Sequence, residues 1–196
     1  MTRAAPREEL LGKAIGWFAE HGVGETSLRT LAEGIGTSHR MLIYHFGSRE
    51  GLLAAVVGAV ERSERDALAG FLAAHPEDPY AAGAAFWTHV ADAATTFAPL
   101  FFELSGHAMQ GKSHAHALRE WLADGWLDGL TRGFEASDLP PERARALARQ
   151  SLAMARGLLF ELAVTGDRAA IDAAMADYTE QVRRFGSDLP PVTGQP

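Results

Sequence analysis

Residues 26–50 read TSLRTLAEGIGTSHRMLIYHFGSRE, and this stretch decides the fold. Leu28, Leu31, Ala32 and Ile35 stand at the i, i+3, i+4, i+7 spacing of one helix face, with Ser27 ahead of them as an N-cap. Gly36 ends that short helix, and Thr37 or Ser38 caps a second one whose inward residues are Leu42 and Phe46. Gly47-Ser48 then breaks the chain before a long helix opening at Arg49. Two short helices joined at a glycine make a helix-turn-helix, the motif whose second helix enters the major groove of DNA. Upstream, the stripe Leu10, Leu11, Ala14, Ile15 and Phe18 predicts one more helix, stopped at Glu20-His21-Gly22. Residues 1–48 therefore read as a three-helix DNA-binding domain.

The recognition helix, running from Thr37 to Phe46, contains no acid that phosphate would repel. Ser38, His39 and Arg40 lie in its first turn, where side chains of such helices reach base edges, and arginine can bond guanine bidentately. His39 and Arg40 are the candidates for reading sequence. Ser27 and Ser38 can act as helix caps, as DNA contacts or as both.

Composition sets the limits around this reading. A chain of 196 residues with 47% hydrophobic content can bury a core, which excludes disordered and fibrous classes. It has no cysteine, no charged segment leading into a short apolar run, and no apolar stretch long enough for a bilayer, so a soluble cytoplasmic protein without a membrane partner is expected. The net charge of −7 is the wrong sign for a DNA binder, since affinity for a polyanion comes largely from Lys and Arg set against phosphates. The average conceals a division. In residues 1–50 the bases Arg3, Arg7, Lys13, Arg29, Arg40 and Arg49 balance Glu8, Glu9, Glu20, Glu25, Glu33 and Glu50, and Glu33 is the one acid between Thr26 and Arg49. All of the excess negative charge falls on the remainder.

The ordered set Phe18-Ala19-Glu20-His21-Gly22, Thr26-Ser27-Leu28-Arg29, Leu31-Ala32, Gly36, Ser38 and His45-Phe46-Gly47-Ser48-Arg49-Glu50 with Leu52-Leu53 resembles the DNA-binding domain of the tetracycline-repressor (TetR) family. The match covers about the first quarter of the chain. It implies an all-α protein of about nine helices, in which a C-terminal helical bundle binds a small molecule and dimerises. It also implies that Arg29 can reach a base and that Ser27, Tyr44, His45 and Arg49 clamp phosphates, with Thr37 on the same face. Arg49 stands where the family usually has lysine. Arg40 replaces a frequent glycine, and Ile43-Tyr44 follows Leu42 where the family commonly has tyrosine at once, so the base preference and one backbone contact differ from the common pattern.

Residues 49–186 are expected to form the ligand-binding and dimerisation domain, and 187–196, rich in proline and glycine, a disordered tail. The fourth helix should run to about Ala74 and connect the two domains, and His75-Pro76-Glu77-Asp78-Pro79 should be a loop. Further helices are predicted over Tyr80–Phe97, Pro99–His107, His114–Glu135, Pro140–Thr165 and Asp167–Phe185. Aromatics crowd the middle of the chain, and Trp87, Phe101, Phe102, His107, Trp121 and Met154 are the candidates for lining a pocket, with core packing an equal explanation for each. An apolar or aromatic small molecule is the implied effector, and no cofactor is. Leu147, Leu152, Leu159, Phe160, Ile171, Met175, Tyr178 and Val182 provide the apolar stripes of a dimer surface, the family's dimers being four-helix bundles. Homodimerisation also suits one short recognition helix, because a two-fold protein engages both halves of a palindromic operator. Effector binding would then shift the connecting helix and weaken DNA binding, with reciprocal linkage between the two ligands.

A metal-binding or catalytic bundle is the competing reading, prompted by His107, His114 and His116 near Glu103 and Glu120. His114 and His116, two apart on a helix, would point to nearly opposite faces, and the Glu-x-x-His pairs, Gly-rich phosphate loop and G-x-S-x-G elbow of such proteins are absent, so the chain reads as a regulator and not an enzyme.

Overall fold

A computed structural model describes residues 6–22, 26–116, 124–137 and 139–187. They form α-helices and no strand: α1 (Pro6–His21), α2 (Leu28–Gly34), α3 (His39–Phe46), α4 (Arg49–Ala74), α5 (Pro79–Met109), α6 (Asp124–Glu135), α7 (Pro141–Thr165) and α8 (Arg168–Ser187), with a 3-10 turn at Ser113–Ala115. None of them is long and apolar enough to cross a membrane.

The chain packs as two compact units, one drawn from residues 1–62 and 95–121, the other from 63–94 and 122–196. The expected division at 48/49 coincides with the joint between α3 and α4. Compactness nevertheless places the first half of α4 with the helix-turn-helix, because Leu52, Leu53, Val56 and Val57 are buried like the core residues of α1 to α3.

In the first unit, Leu10, Leu11, Ala14 and Phe18 of α1, Leu28, Leu31 and Ala32 of α2, and Leu42 and Phe46 of α3 are buried. The sequence pattern named these same positions, apart from Ile15 and Ile35, which are half-buried. Trp17 lies so close over α2 that a Cβ on Gly34 would stand 2.3 Å from its indole nitrogen. Only a residue without a side chain allows that approach.

The second unit turns on a different use of glycine. Gly125, Gly129 and Gly133 recur every four residues on α6 and present one bare face, against which Arg65, Leu68 and Leu72 of α4 pack. A Cβ at Gly125 would meet the Arg65 side chain at 3.1 Å, and one at Gly133 would meet Leu72 at 3.1 Å. Glycine in a helix interior costs about 1 kcal/mol relative to alanine, so close packing must offset three such residues. Leu139, Ala144, Leu147 and Val182 form a buried cluster, with Tyr80, Phe134 and Tyr178 packed on it. Gly166, at φ +71°, closes α7 with its N–H on the Leu162 carbonyl, and Asp167 accepts from the Ala170 N–H to start α8. Burial thus orders α4 to α8 around a common apolar interior.

One expected helix boundary is corrected. The break before Pro99 is not there, and α5 runs unbroken from Pro79 to Met109. Proline removes one N–H and crowds the carbonyl four residues back, but buried Ala94, Ala98, Leu100 and Leu104 on both sides hold the helix together. The helix expected over 114–135 opens with a 3-10 turn at Ser113–Ala115, is helical at His116 and again over Asp124–Glu135, and residues 117–123 lie outside the described residues. The expected tail, apart from Ser187, lies outside the described residues.

A chain of polar contacts ties α8 to α5. The buried Trp87 indole donates to Asp172 Oδ1 at 2.7 Å, and Arg168 bonds Asp172 Oδ2 and Asp92 Oδ1, each at 2.7 Å. Asp172→Ala would strand the Trp87 N–H inside the unit, and equilibrium urea unfolding should show a loss of about 1–3 kcal/mol.

Candidate nucleic-acid interface and apolar cavity

The helix-turn-helix is held by its own caps. Ser27 Oγ accepts from the Thr30 N–H at 3.1 Å, and Ser38 Oγ from the Met41 N–H at 3.2 Å. Gly36, at φ +70°, makes the turn between α2 and α3, where the Thr37 N–H reaches the Ala32 carbonyl at 2.9 Å. Gly47, at φ +78°, ends α3, and Ser48 Oγ accepts from the Gly51 N–H at 3.0 Å to open α4. A Cβ on Gly51 would stand 2.1 Å from the Phe46 carbonyl oxygen. The joint between α3 and α4 therefore admits no side chain there. The Glu50 carboxyl is held below the usual carboxylate range, chiefly by its own backbone N–H, then by the Ser48 hydroxyl, with smaller help from His114 and Arg49.

With Leu42 and Phe46 turned inward, α3 leaves His39, Arg40, Met41, Ile43 and Tyr44 exposed, Tyr44 at 78%. Ser27 and Arg29 are exposed beside α2, and Thr37 is half-buried. No acid lies between Gly34 and Arg49. The face offers hydroxyls, an imidazole, a guanidinium and the positive end of the α3 dipole.

Within the second unit lies a cavity of about 140 Å³. Leu68 and Leu72 of α4 and Phe86 and Trp87 of α5 form one side, and Trp126, Leu130 and Phe134 of α6 another. Ser151, Leu152, Met175, Tyr178, Thr179 and Val182 of α7 and α8 complete it. Among the described residues its ionisable lining groups are the Tyr80 and Tyr178 phenols, with no Asp, Glu, Lys, Arg or His. Ser151 Oγ and Tyr178 Oη lie 3.1 Å apart, and Thr179 Oγ1 donates to the Met175 carbonyl at 2.9 Å. Burial raises the Tyr178 phenol above its ordinary value while the bond with Ser151 works against that rise.

A sequence profile described as bacterial regulatory proteins, tetR family, matches residues 10–56, the segment that builds α1 to α3 and the start of α4. Over 171 residues the chain is 30% identical to the HTH-type transcriptional regulatory protein RaaS of Mycobacterium tuberculosis, an alignment covering 86% of this chain and 77% of that one. The chain belongs to the TetR family. It is a DNA-binding transcriptional regulator. Solved structures share its fold: a TetR-family regulator from Mesorhizobium loti (17% identical, TM-score 0.70, covering 94% of this chain and 98% of that one) and a transcriptional regulator from Rhodococcus sp. Rha1 (20%, 0.69, 95% and 100%). The RaaS relative and these fold neighbours are regulators of transcription.

In this TetR-family chain the structure separates the candidate residues. Arg49 Nε donates to the Thr26 carbonyl at 3.0 Å, so its guanidinium braces the entry to α2 against the start of α4. His45 Nε2 is buried and has no hydrogen-bond partner among the described residues. Of the pocket candidates, Trp87 lines the cavity and Phe101, Phe102, His107 and Met154 do not. Phe101 and Phe102 pack edge to face, 5.1 Å apart, in the first unit. His107 Nδ1 meets His114 Nε2 at 3.0 Å there, and no three potential ligands gather to hold a metal among the described residues. Met154 is exposed, and Trp121 lies outside the described residues.

The dimer candidates divide as well. Leu147, Ile171, Met175 and Val182 are buried within their own unit, Leu152, Met175, Tyr178 and Val182 line the cavity, Leu159 is half-buried and Phe160 is exposed. The apolar stripe that looked like a dimer surface is largely the wall of the monomer's interior. Among the cavity residues not singled out as pocket candidates in the sequence, Trp126, Leu130 and Phe134 each follow one of the three bare glycines, so the repeated Gly-apolar pair every four residues marks a helix packed on two sides.

Gly51→Ala should lower the melting temperature. In an ordinary helix interior the change gains up to about 1 kcal/mol, but here the clash with the Phe46 carbonyl should cost about 1–3 kcal/mol, read by thermal unfolding followed by circular dichroism.

Proposed function

We propose that this regulator is a homodimeric repressor that grips a palindromic operator through α3 and is released when a small apolar or aromatic effector fills the cavity of the second unit. The observation that carries this reading is the pairing of two features in one chain: an acid-free, donor-rich α3 face and an apolar cavity walled by α4 to α8. Arg40 and His39 read bases, with Arg29 reaching a further one. Ser27, Thr37, Ser38 and Tyr44 contact the backbone, and capping already orients the two serines with their hydroxyls exposed beside the helix starts. Residues 1–48 carry the DNA-binding role, and residues 49–186 the effector and dimer roles.

Leu68 and Leu72, which line the cavity, belong to the same continuous helix that begins at Arg49 beside α3. A molecule entering the cavity acts on α4 through those two leucines, and by linkage operator DNA lowers effector affinity by the factor by which effector lowers DNA affinity. The protein works by binding and catalyses no reaction, and its place is the cytoplasm, where its operator is.

Dimerisation rests on α7. Met154, Phe160 and Val164 are exposed, the latter two at 53% and 70%, and share one side of the helix, with Gly157 bare between them. Exposed apolar surface of this kind suits a second copy turned by two-fold symmetry. Phe160→Asp should convert the dimer to a monomer by light scattering and weaken operator binding by roughly 100-fold, the avidity of two linked half-sites.

Selection of bound fragments from genomic DNA, followed by titration of the best site at several salt concentrations, tests the reading. A palindrome whose affinity falls linearly in log salt is expected. Arg40→Ala should cost about 1–3 kcal/mol and relax preference at one base pair of each half-site. No enriched sequence at low salt would overturn the assignment of α3.

A further inference from the structure

The cavity is built for a narrower class of molecule than "apolar effector" describes. Its volume of about 140 Å³ is close to that of an engineered apolar protein cavity of roughly 150 Å³ that takes up benzene. A single aromatic ring fits. Phe86, Trp87, Trp126 and Phe134 supply flat apolar walls on which such a ring can pack edge-on or offset.

Charge is excluded by what is missing from the wall. None of the lining side chains is Asp, Glu, Lys, Arg or His, so a carboxylate or ammonium group would be stripped of water without a counter-charge. Asp172, which meets the lining Trp87, has Oδ1 engaged by the indole and Oδ2 by Arg168.

Four lining residues carry hydroxyls, Tyr80, Ser151, Tyr178 and Thr179, and two of them form a directly bonded pair. Ser151 and Tyr178, on α7 and α8, bond each other at 3.1 Å, and neither hydroxyl has a further hydrogen-bond partner among the described residues. Two hydroxyls carry two hydrogens and four lone pairs, and the bond between them uses one hydrogen and one lone pair. One O–H and several lone pairs are therefore left for a guest. Thr179 does not compete, because its hydroxyl is committed to the Met175 carbonyl. We propose that the cavity takes an uncharged aromatic of about one ring bearing a single hydrogen-bonding group, a phenol- or indole-type molecule, whose polar group is recognised by the Ser151–Tyr178 pair. This rests on the reading of the cavity as the effector site.

Phenol and toluene have nearly the same shape and differ in the hydroxyl, so they isolate the polar contact. Binding to the full-length protein is measured by calorimetry and by the emission of Trp87 and Trp126, for phenol, indole, toluene, benzoate and benzylammonium. Phenol and indole should bind saturably, and phenol should exceed toluene by roughly three- to tenfold, the ratio that one neutral hydrogen bond contributes. Tyr178→Phe and, separately, Ser151→Ala should each reduce that ratio toward one while leaving toluene affinity and the circular dichroism spectrum unchanged. Benzoate or benzylammonium binding as well as phenol, or a phenol-to-toluene ratio unchanged in both variants, would overturn the assigned class while leaving the cavity as a binding site. Failure of all five compounds to bind would overturn the class together with the effector reading of the cavity.

Discussion

The distance at which α4 can lie on α6 governs the second unit. Three glycines at four-residue spacing remove every Cβ from one face of α6, and Arg65, Leu68 and Leu72 of α4 come down onto that face. The residue following each glycine, Trp126, Leu130 or Phe134, turns toward the cavity, and Leu68 and Leu72 reach the same space from α4. A side chain of ordinary size on the glycine face would separate the two helices and shift those walls. Helix propensity is given up on α6 and recovered as contact, which is how a short helix with three glycines remains a helix.

In the first unit the constraint is backbone geometry and not area. The caps at Ser27, Ser38 and Ser48 and the left-handed glycines at 36 and 47 fix where each short helix starts and stops. The recognition helix has eight residues, too few to be stable alone, so its orientation depends on burying Leu42 and Phe46 and on the close contact between Gly51 and the Phe46 carbonyl. Arg49 reinforces the joint through the Thr26 carbonyl. Its Nε is thus employed in holding the start of α4 against the entry to α2. The exposed remainder of α3 is chemically simple: donors, no acids, and apolar Met41, Ile43 and the Tyr44 ring beside them.

Most of the helix-turn-helix was legible in the sequence because its determinants are local. Caps, glycine turns and the spacing of Leu28, Leu31, Ala32, Leu42 and Phe46 act within a few residues, and every α2 and α3 boundary follows from them. The family resemblance rests on the same segment. The bundle was legible only as a set of helices, and even there Pro99 misled, since the penalty of an internal proline is small against burial on both sides of it.

Which apolar residues face a cavity, a core or a partner is a different matter. Periodicity assigns a residue to a face but carries no information about what that face meets. Trp87 and Phe101 look alike in the sequence, yet one closes the cavity with its N–H on Asp172 and the other packs against Phe102 in a different unit. Tyr178 and Val182 read as a dimer stripe and line the monomer's interior, while Phe160 and Val164 remain exposed. Local chemistry by itself determined an all-helical regulator with a DNA-reading N-terminus. Contacts between residues as far apart as 87 and 172 decided the cavity, because burial is a property of the packed chain and no window of the sequence contains it.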